Sequence, residues 1–221
     1  MKNIQQNYDI YQILMEDHPV SLMYSRMVYN SWRKHNHNIK KFKAITPKDL
    51  YKKHKLEFGK KGDRDFTATE KSVWYSHFEL WCRCLTTRRP ILILEHDSKL
   101  IKPLPDLSKE GHKFLSFINR DYGDKKSQGV HLAPGSGYYI TPLVAQRLIA
   151  HAVSKEIKQN SDGHLGALLN IAKQLQNNDY HYIEQINIDG LNTIDHKSPY
   201  RNYVGLDYEK IDIPGIHGQE I

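Results

Sequence analysis

An α/β fold, with a mostly parallel central sheet flanked by helices, is the architecture this sequence predicts. Three observations carry the prediction. Strand-like and helix-like patterns alternate as β, α, β, α, β over residues 8–94. The third of those strands, "ILIL" at 91–94, is short and wholly apolar, as strands buried on both faces are. The helix before it opens on a capping box, Thr67-x-x-Glu70, and carries an apolar stripe.

The elements follow in order. "YDIYQILM" (8–15) alternates and is rich in β-formers, so it reads as the first strand. "DHPVSLMYSRMVYNSWRKH" reads as a helix, with Asp17 as its cap and Pro19 in its first turn. Val20, Met23, Tyr24, Met27 and Val28 form its core face. "IKKFKAIT" (39–46) is the second strand, closed by Thr46-Pro47. The lysine-rich segment 48–63 begins as helix and passes into a loop at "EFGKKGDRD". From Thr67 the capped helix runs to Thr87, its stripe traced by Val73, Trp74, His77, Leu80, Trp81 and Cys84. After the third strand the pattern loosens. "HKFLSFIN" (112–119) reads as a strand, and "GVHLAPGSGYYIT" (129–141) as a glycine-broken loop entering another. Thr141-Pro142 starts a helix whose core side is Val144, Ala145, Leu148, Ile149 and Ala152. Asp162 caps a further helix over 163–175, "YHYIEQINI" (180–188) is extended, and the tail 197–221 is irregular.

Composition bounds the class. With 221 residues and no Gly/Ser- or Pro-rich linker, the expectation is one domain over 1–221 with its core at about 8–190. No apolar run approaches a membrane span, and "MKNIQQNYDIYQ" has no signal-peptide core. Cys82 and Cys84 lie too close to form a disulfide framework, so a cytoplasmic protein is expected. The formal net charge is +7, and much of the excess falls between Lys40 and Lys61. Such a segment is either a solvated basic surface or a face for phosphates.

The chemistry-bearing stretch is Glu95-His96-Asp97, directly after the apolar strand. Ligands of open α/β sheets bind at the carboxyl ends of parallel strands. Two carboxylates spaced i, i+2 on an extended segment address one centre, and hard divalent cations such as Mg²⁺ or Mn²⁺ prefer oxygen ligands shared with phosphates. The plainer alternative is that acids merely end a strand in solvent. Asp162, read from the sequence alone, is a helix N-cap. Gly135, Ser136 and Gly137 form either an ordinary turn or a place where backbone approaches a ligand. Thr46 and Arg26 are candidate nucleotide contacts.

The block "TATEKSVWYSHFELWCRCLTTRRPILILEHDSKL" resembles the core of glycosyltransferase family 25. Ser76, His77 and Trp81 match that family's Ser-His-and-Trp helix, and Glu95 and Asp97 match the outer positions of its acidic motif. "FKAITP" (42–47) is similar to its second strand and nucleotide-side loop, "GSGYYITPLVAQRLI" (135–149) to its Gly-Tyr strand and Ala-rich helix, and Asp162 to its late aspartate. The resemblance spans roughly 40–190. His96 departs from it, standing where the family has its middle acid. "LMEDHPVSLMYSR" replaces the family's usual opening and, with "EHD", looks like small glycosyltransferase-like proteins of tailed phages.

The resemblance implies a GT-A-like, Rossmann-like nucleotide-sugar-binding domain acting as a glycosyltransferase. Asp97, helped by Glu95, would hold Mn²⁺ or Mg²⁺ against the donor diphosphate, with UDP as the implied nucleotide. Glu95 is also a candidate for the donor ribose, and Ser76 and His77 become donor-side residues. Asp162, or else His164, would take the acceptor proton. The basic segment and the phage-like opening favour hydroxylated or hydroxymethylated DNA as acceptor, gripped by Lys40–Lys61, with Tyr122, Tyr138 and Tyr139 stacking on a flipped base. The alternatives are a bacterial surface saccharide, or a nucleic-acid-binding module on a degenerate transferase scaffold.

Overall fold

The structure is a computed structural model, which describes residues 7–53, 55–107, 114–116, 137–158 and 183–185. All the described elements fall within one compact unit, Met1–Ile186.

The first strand, β1 (Asp9–Leu14), leads into helix α1 (Pro19–Arg33). The N-cap of α1 is His18, one residue later than Asp17: its Nδ1 accepts from the Ser21 N–H at 3.4 Å. Strand β2 (Ile39–Lys43) runs into a short 3-10 helix, Pro47–Lys52. The next segment is not a plain loop. It makes a small hairpin of β3 (Lys60–Lys61) and β4 (Arg64–Asp65). Gly62, at φ +65°, supplies the left-handed backbone that this two-residue turn needs. Glu70 anchors the hairpin to helix α2 (Ala68–Thr87). It accepts from both Arg64 terminal nitrogens, from Lys61 Nζ and from the Thr67 N–H. The expected capping box is therefore present and is tied to a neighbouring element. Val73 is the one stripe position that points outward, at 40% exposure, whereas Trp74, His77, Leu80, Trp81 and Cys84 are buried.

Strands β5 (Ile91–Leu94) and β6 (Ser98–Leu100) are joined by the Glu95–Ser98 turn. Strands β7 (Phe114–Ser116) and β8 (Gly137–Ile140), helix α3 (Pro142–Ser154) and strand β9 (Ile183–Gln185) complete the described elements. The main sheet has the order β2-β1-β5-β8-β7. β1 pairs parallel with β2 and β5, while β8 runs antiparallel to both of its neighbours. β8 alone therefore opposes the common direction, and the sheet is mostly parallel.

Alternation along the strands separates two cores. Tyr11, Ile13, Phe42, Ile91, Ile93, Tyr138 and Ile140 pack with α2 and α3 in one apolar cluster. The opposite face carries Gln12, which is bonded to α1 through Ser25. Helices thus cover both faces, which is why β5 is buried at every position and needs no polar alternation. Among the described residues, no helix is long and apolar enough to cross a membrane.

Candidate active site

Because β1, β2 and β5 are parallel, their carboxyl ends share one edge of the sheet. The chain passes from β1 to β2 on one side, then crosses to β5 on the other side of β1. Strand order reverses between β1 and β5, and open α/β sheets bind their ligands at the carboxyl edge of such a reversal. The acidic stretch lies there as a hydrogen-bonded turn, not as the extended segment expected from sequence. The Ser98 N–H donates to the Glu95 carbonyl at 3.3 Å, and the Glu95 N–H donates to Ser98 Oγ at 3.1 Å. In a turn, the two-residue alternation that would direct both carboxylates alike no longer holds.

Neighbouring elements tie the turn down. Gln12 Nε2 donates to the His96 carbonyl at 3.2 Å while Gln12 Oε1 accepts from Ser25 Oγ at 2.8 Å. Trp32 Nε1 donates to the Ser98 carbonyl at 2.9 Å. Sequence reasoning missed Gln12; its signal was an amide inside an otherwise apolar strand, where a buried polar group must find partners.

Asp97 is 6% exposed, an unusual burial for a carboxylate. Glu95 is half-buried, with Oε1 3.9 Å from His77 Nε2. The His96 ring stacks on Tyr24, centroids 5.8 Å apart and 22° between planes, and so is directed toward α1. His18, the α1 cap, has its pKa lowered by burial and then by the nearby His96. His77 is buried, with Nδ1 2.7 Å from Tyr138 Oη. Ser76 Oγ accepts from the Ile45 N–H at 2.9 Å and donates to the Ser72 carbonyl at 3.0 Å, so it fastens α2 to the end of β2. Thr46 also lies at this edge, but Asp49 Oδ2 accepts from both its N–H and its hydroxyl, at 2.9 and 2.8 Å. Arg26 is exposed on the outer side of α1 and is not brought to the turn. What comes close to Gly137 is Ile183: a Cβ there would lie 2.5 Å from Ile183 Cδ1. Gly135, Ser136, Asp162, His164 and Tyr122 lie outside the described residues.

Tyr138 and Tyr139, expected to stack on a base, are 0% and 4% exposed. Their rings fill the sheet faces and present no platform. The basic segment is likewise less available than its composition suggests. Lys40, Lys43, Lys53 and Lys61 each face a carboxylate, from Asp9, Glu16, Glu79 and Glu70 respectively. Lys40, Lys41 and Lys43 also lie on β2, the edge strand, where lysines deter strand-to-strand aggregation.

Among the described residues, no three His, Cys, Asp or Glu side chains converge as a metal cage. The donor chemistry that is present, one buried and one half-buried carboxylate, suits an oxygen-seeking cation completed by phosphates and water. It does not suit a closed structural site.

A mostly parallel sheet covered by helices, with an acidic turn at its crossover edge, is consistent with a GT-A-like glycosyltransferase domain. Residues 25–128 match the family model for Glycosyltransferase family 25 (LPS biosynthesis protein), a match that indicates a glycosyltransferase. No curated protein matches the chain. The matched stretch starts within α1, earlier than the sequence resemblance did, and takes in β2, α2, β5 and the acidic turn. It ends before Gly135 and Asp162.

Proposed function

We propose that this enzyme transfers a sugar from a nucleotide sugar, UDP being the leading nucleotide, to a hydroxyl of a bacterial surface saccharide. The observation that carries the reading is a buried Asp97 in a braced turn at the β1/β5 crossover edge, inside the family-matched stretch. The family's association with LPS biosynthesis favours saccharide acceptors of that type over DNA. The buried Tyr138 and Tyr139 and the paired lysines weaken the DNA alternative in the same direction.

In this reading Asp97 and Glu95 would hold Mn²⁺ or Mg²⁺. The cation, when bound, neutralises charge on the departing nucleoside diphosphate. Gln12, Ser25 and Trp32 hold the turn so that the Asp97 carboxylate needs little reorganisation when donor arrives. The base that removes the acceptor proton is proposed as Asp162, with His164 as the alternate. The free thiols of Cys82 and Cys84 suit a cytoplasmic setting.

The test combines binding and transfer. UDP with Mn²⁺ is expected to raise the melting temperature of the full chain, and EDTA to abolish the rise. Radiolabelled UDP-hexoses, offered core oligosaccharide, should yield labelled saccharide. Asp97→Asn should lower transfer at least about 100-fold and remove the metal-dependent stabilisation. A wild-type chain indifferent to UDP and Mn²⁺ would refute the proposal.

A further inference from the structure

One buried polar chain takes no part in holding donor or acceptor in the reading above. Trp81 and Tyr138 are 0% exposed and His77 is 1% exposed. Trp81 Nε1 donates to Tyr138 Oη at 2.9 Å, and that oxygen lies 2.7 Å from His77 Nδ1. The His77 and Tyr138 rings stack at 5.7 Å, 20° from parallel. The other imidazole nitrogen, Nε2, faces Glu95 Oε1 at 3.9 Å. The fold brings these groups into line. Trp81 and His77 are four residues apart on α2, so they share one face and one neighbour. Tyr138 stands opposite Ile93 in the β5–β8 register, two residues before Glu95, so its side chain emerges on the α2 side.

Donor and acceptor capacities fix the first bond of the chain, and the Glu95 carboxylate favours a direction for the second. An indole N–H only donates, so the Tyr138 oxygen accepts from Trp81. The Tyr138 hydroxyl keeps one proton to give and a second lone pair to accept with, so it can meet His77 Nδ1 in either tautomer, and the carboxylate at the far nitrogen favours donation to Nδ1. With donation to Nδ1 the imidazole proton is on Nε2, directed at the Glu95 carboxylate 3.9 Å away, a separation at which the attraction is electrostatic and not a hydrogen bond. The opposite tautomer would put a lone pair toward Glu95.

We infer that Tyr138, polarised by Trp81, sets the tautomer of His77, and that His77 in turn orients the Glu95 carboxylate; both are positioning residues for sugar transfer. The inference rests on the transferase reading of Glu95 for its kinetic consequence, but not for the tautomer itself. Removing a residue that orients a ligand from behind commonly changes activity about 10–100-fold. Tyr138 therefore gains a role unrelated to base stacking.

The experiment uses the full chain, labelled with ¹⁵N-histidine, and reads the His77 tautomer by NMR at one neutral pH. The same preparations are assayed for transfer as wild type, Tyr138→Phe, His77→Gln and His77→Asn. Wild type is expected to show the proton on Nε2. Tyr138→Phe should lose that single tautomer and lower kcat about 10-fold, with donor KM changed less than about 2-fold. His77→Gln places an amide nitrogen near the Nε2 position, so it should retain more kcat than His77→Asn, which reaches only the Nδ1 position. A wild-type His77 protonated at Nδ1 overturns the inference. So does a Tyr138→Phe variant with unchanged tautomer and kcat, or equal losses in the two His77 variants. If wild type transfers no sugar, the functional proposal fails by itself, and the spectrum still decides between the two tautomers. If Tyr138→Phe does not fold, the wild-type spectrum and the His77 pair decide.

Discussion

The Ser76 hydroxyl sits where α2 meets the exit of β2. It is 1% exposed, accepts from the Ile45 N–H and donates to the Ser72 carbonyl. Ser76→Ala removes the acceptor but leaves the Ile45 amide in place, and an unsatisfied buried N–H costs about 1–3 kcal/mol. Urea denaturation should show a loss of that size, with the m-value unchanged. The same residue shows what sequence can and cannot convey. A Ser-His pair on a helix is visible as a motif, but its hydrogen-bond partner lies 31 positions away across the fold. Tyr138 is the sharper case. Read by type, it is an amphipathic ring suited to a surface; register alone carries it into the core, opposite Ile93. Glu95 and Asp97 were legible as an acidic strand end. The turn geometry was not, because it depends on Gln12 and Trp32 from other elements.

Among the described elements, the hairpin β3–β4 was hidden from sequence, since its strands have two residues each and no apolar alternation. What holds it is charge. Arg64 is the foremost cause that Glu70 stays well below the usual carboxylate range; burial pushes the other way, and Lys61 and the Thr67 amide add to the lowering. The sign of the pH effect follows. A carboxyl whose folded pKa is depressed contributes stability that is present above its unfolded value, near 4.3 for Glu. That contribution is lost as pH falls through the folded value. Glu70→Gln should therefore lower the melting temperature at about pH 6, with the gap from wild type narrowing progressively as pH drops below about 4. A gap that stays constant down to about pH 2 would place the contribution elsewhere, in packing or in the neutral cap. The helices themselves were readable because their signals are local: the Thr67 capping box, Pro19 and Pro142 in first turns, and stripes at helical spacing. The expected cap Asp17 failed because His18, not an acid, reaches the Ser21 amide.

For the whole molecule, the alternation of β and α was enough to place the three parallel strands, and hence the edge at which a ligand belongs. Partner chemistry was less legible, because net charge says nothing of where counter-charges lie. The +7 excess includes Lys40, Lys43, Lys53 and Lys61, whose carboxylate partners are supplied by β1, the β1–α1 link and α2. Lys48, Lys52 and Lys55 are exposed, and among the described residues no carboxylate lies within ion-pair distance of them. They are the positions where phosphate binding and sugar transfer can be separated. Removing one lysine that neutralises a DNA phosphate should reduce the salt dependence of binding by about 0.9 in log–log slope. A triple variant, Lys48→Gln with Lys52→Gln and Lys55→Gln, should thus flatten the slope of DNA retention by up to about 3. With a saccharide acceptor, transfer to core oligosaccharide should stay within about 2-fold of wild type, because the lysines then serve solubility and not the acceptor. If instead the wild type glycosylates hydroxymethylated DNA and the triple variant loses that transfer in step with binding, the acceptor is DNA. Asp97 would keep its proposed role in either case, since the proposed donor side is common to both acceptors.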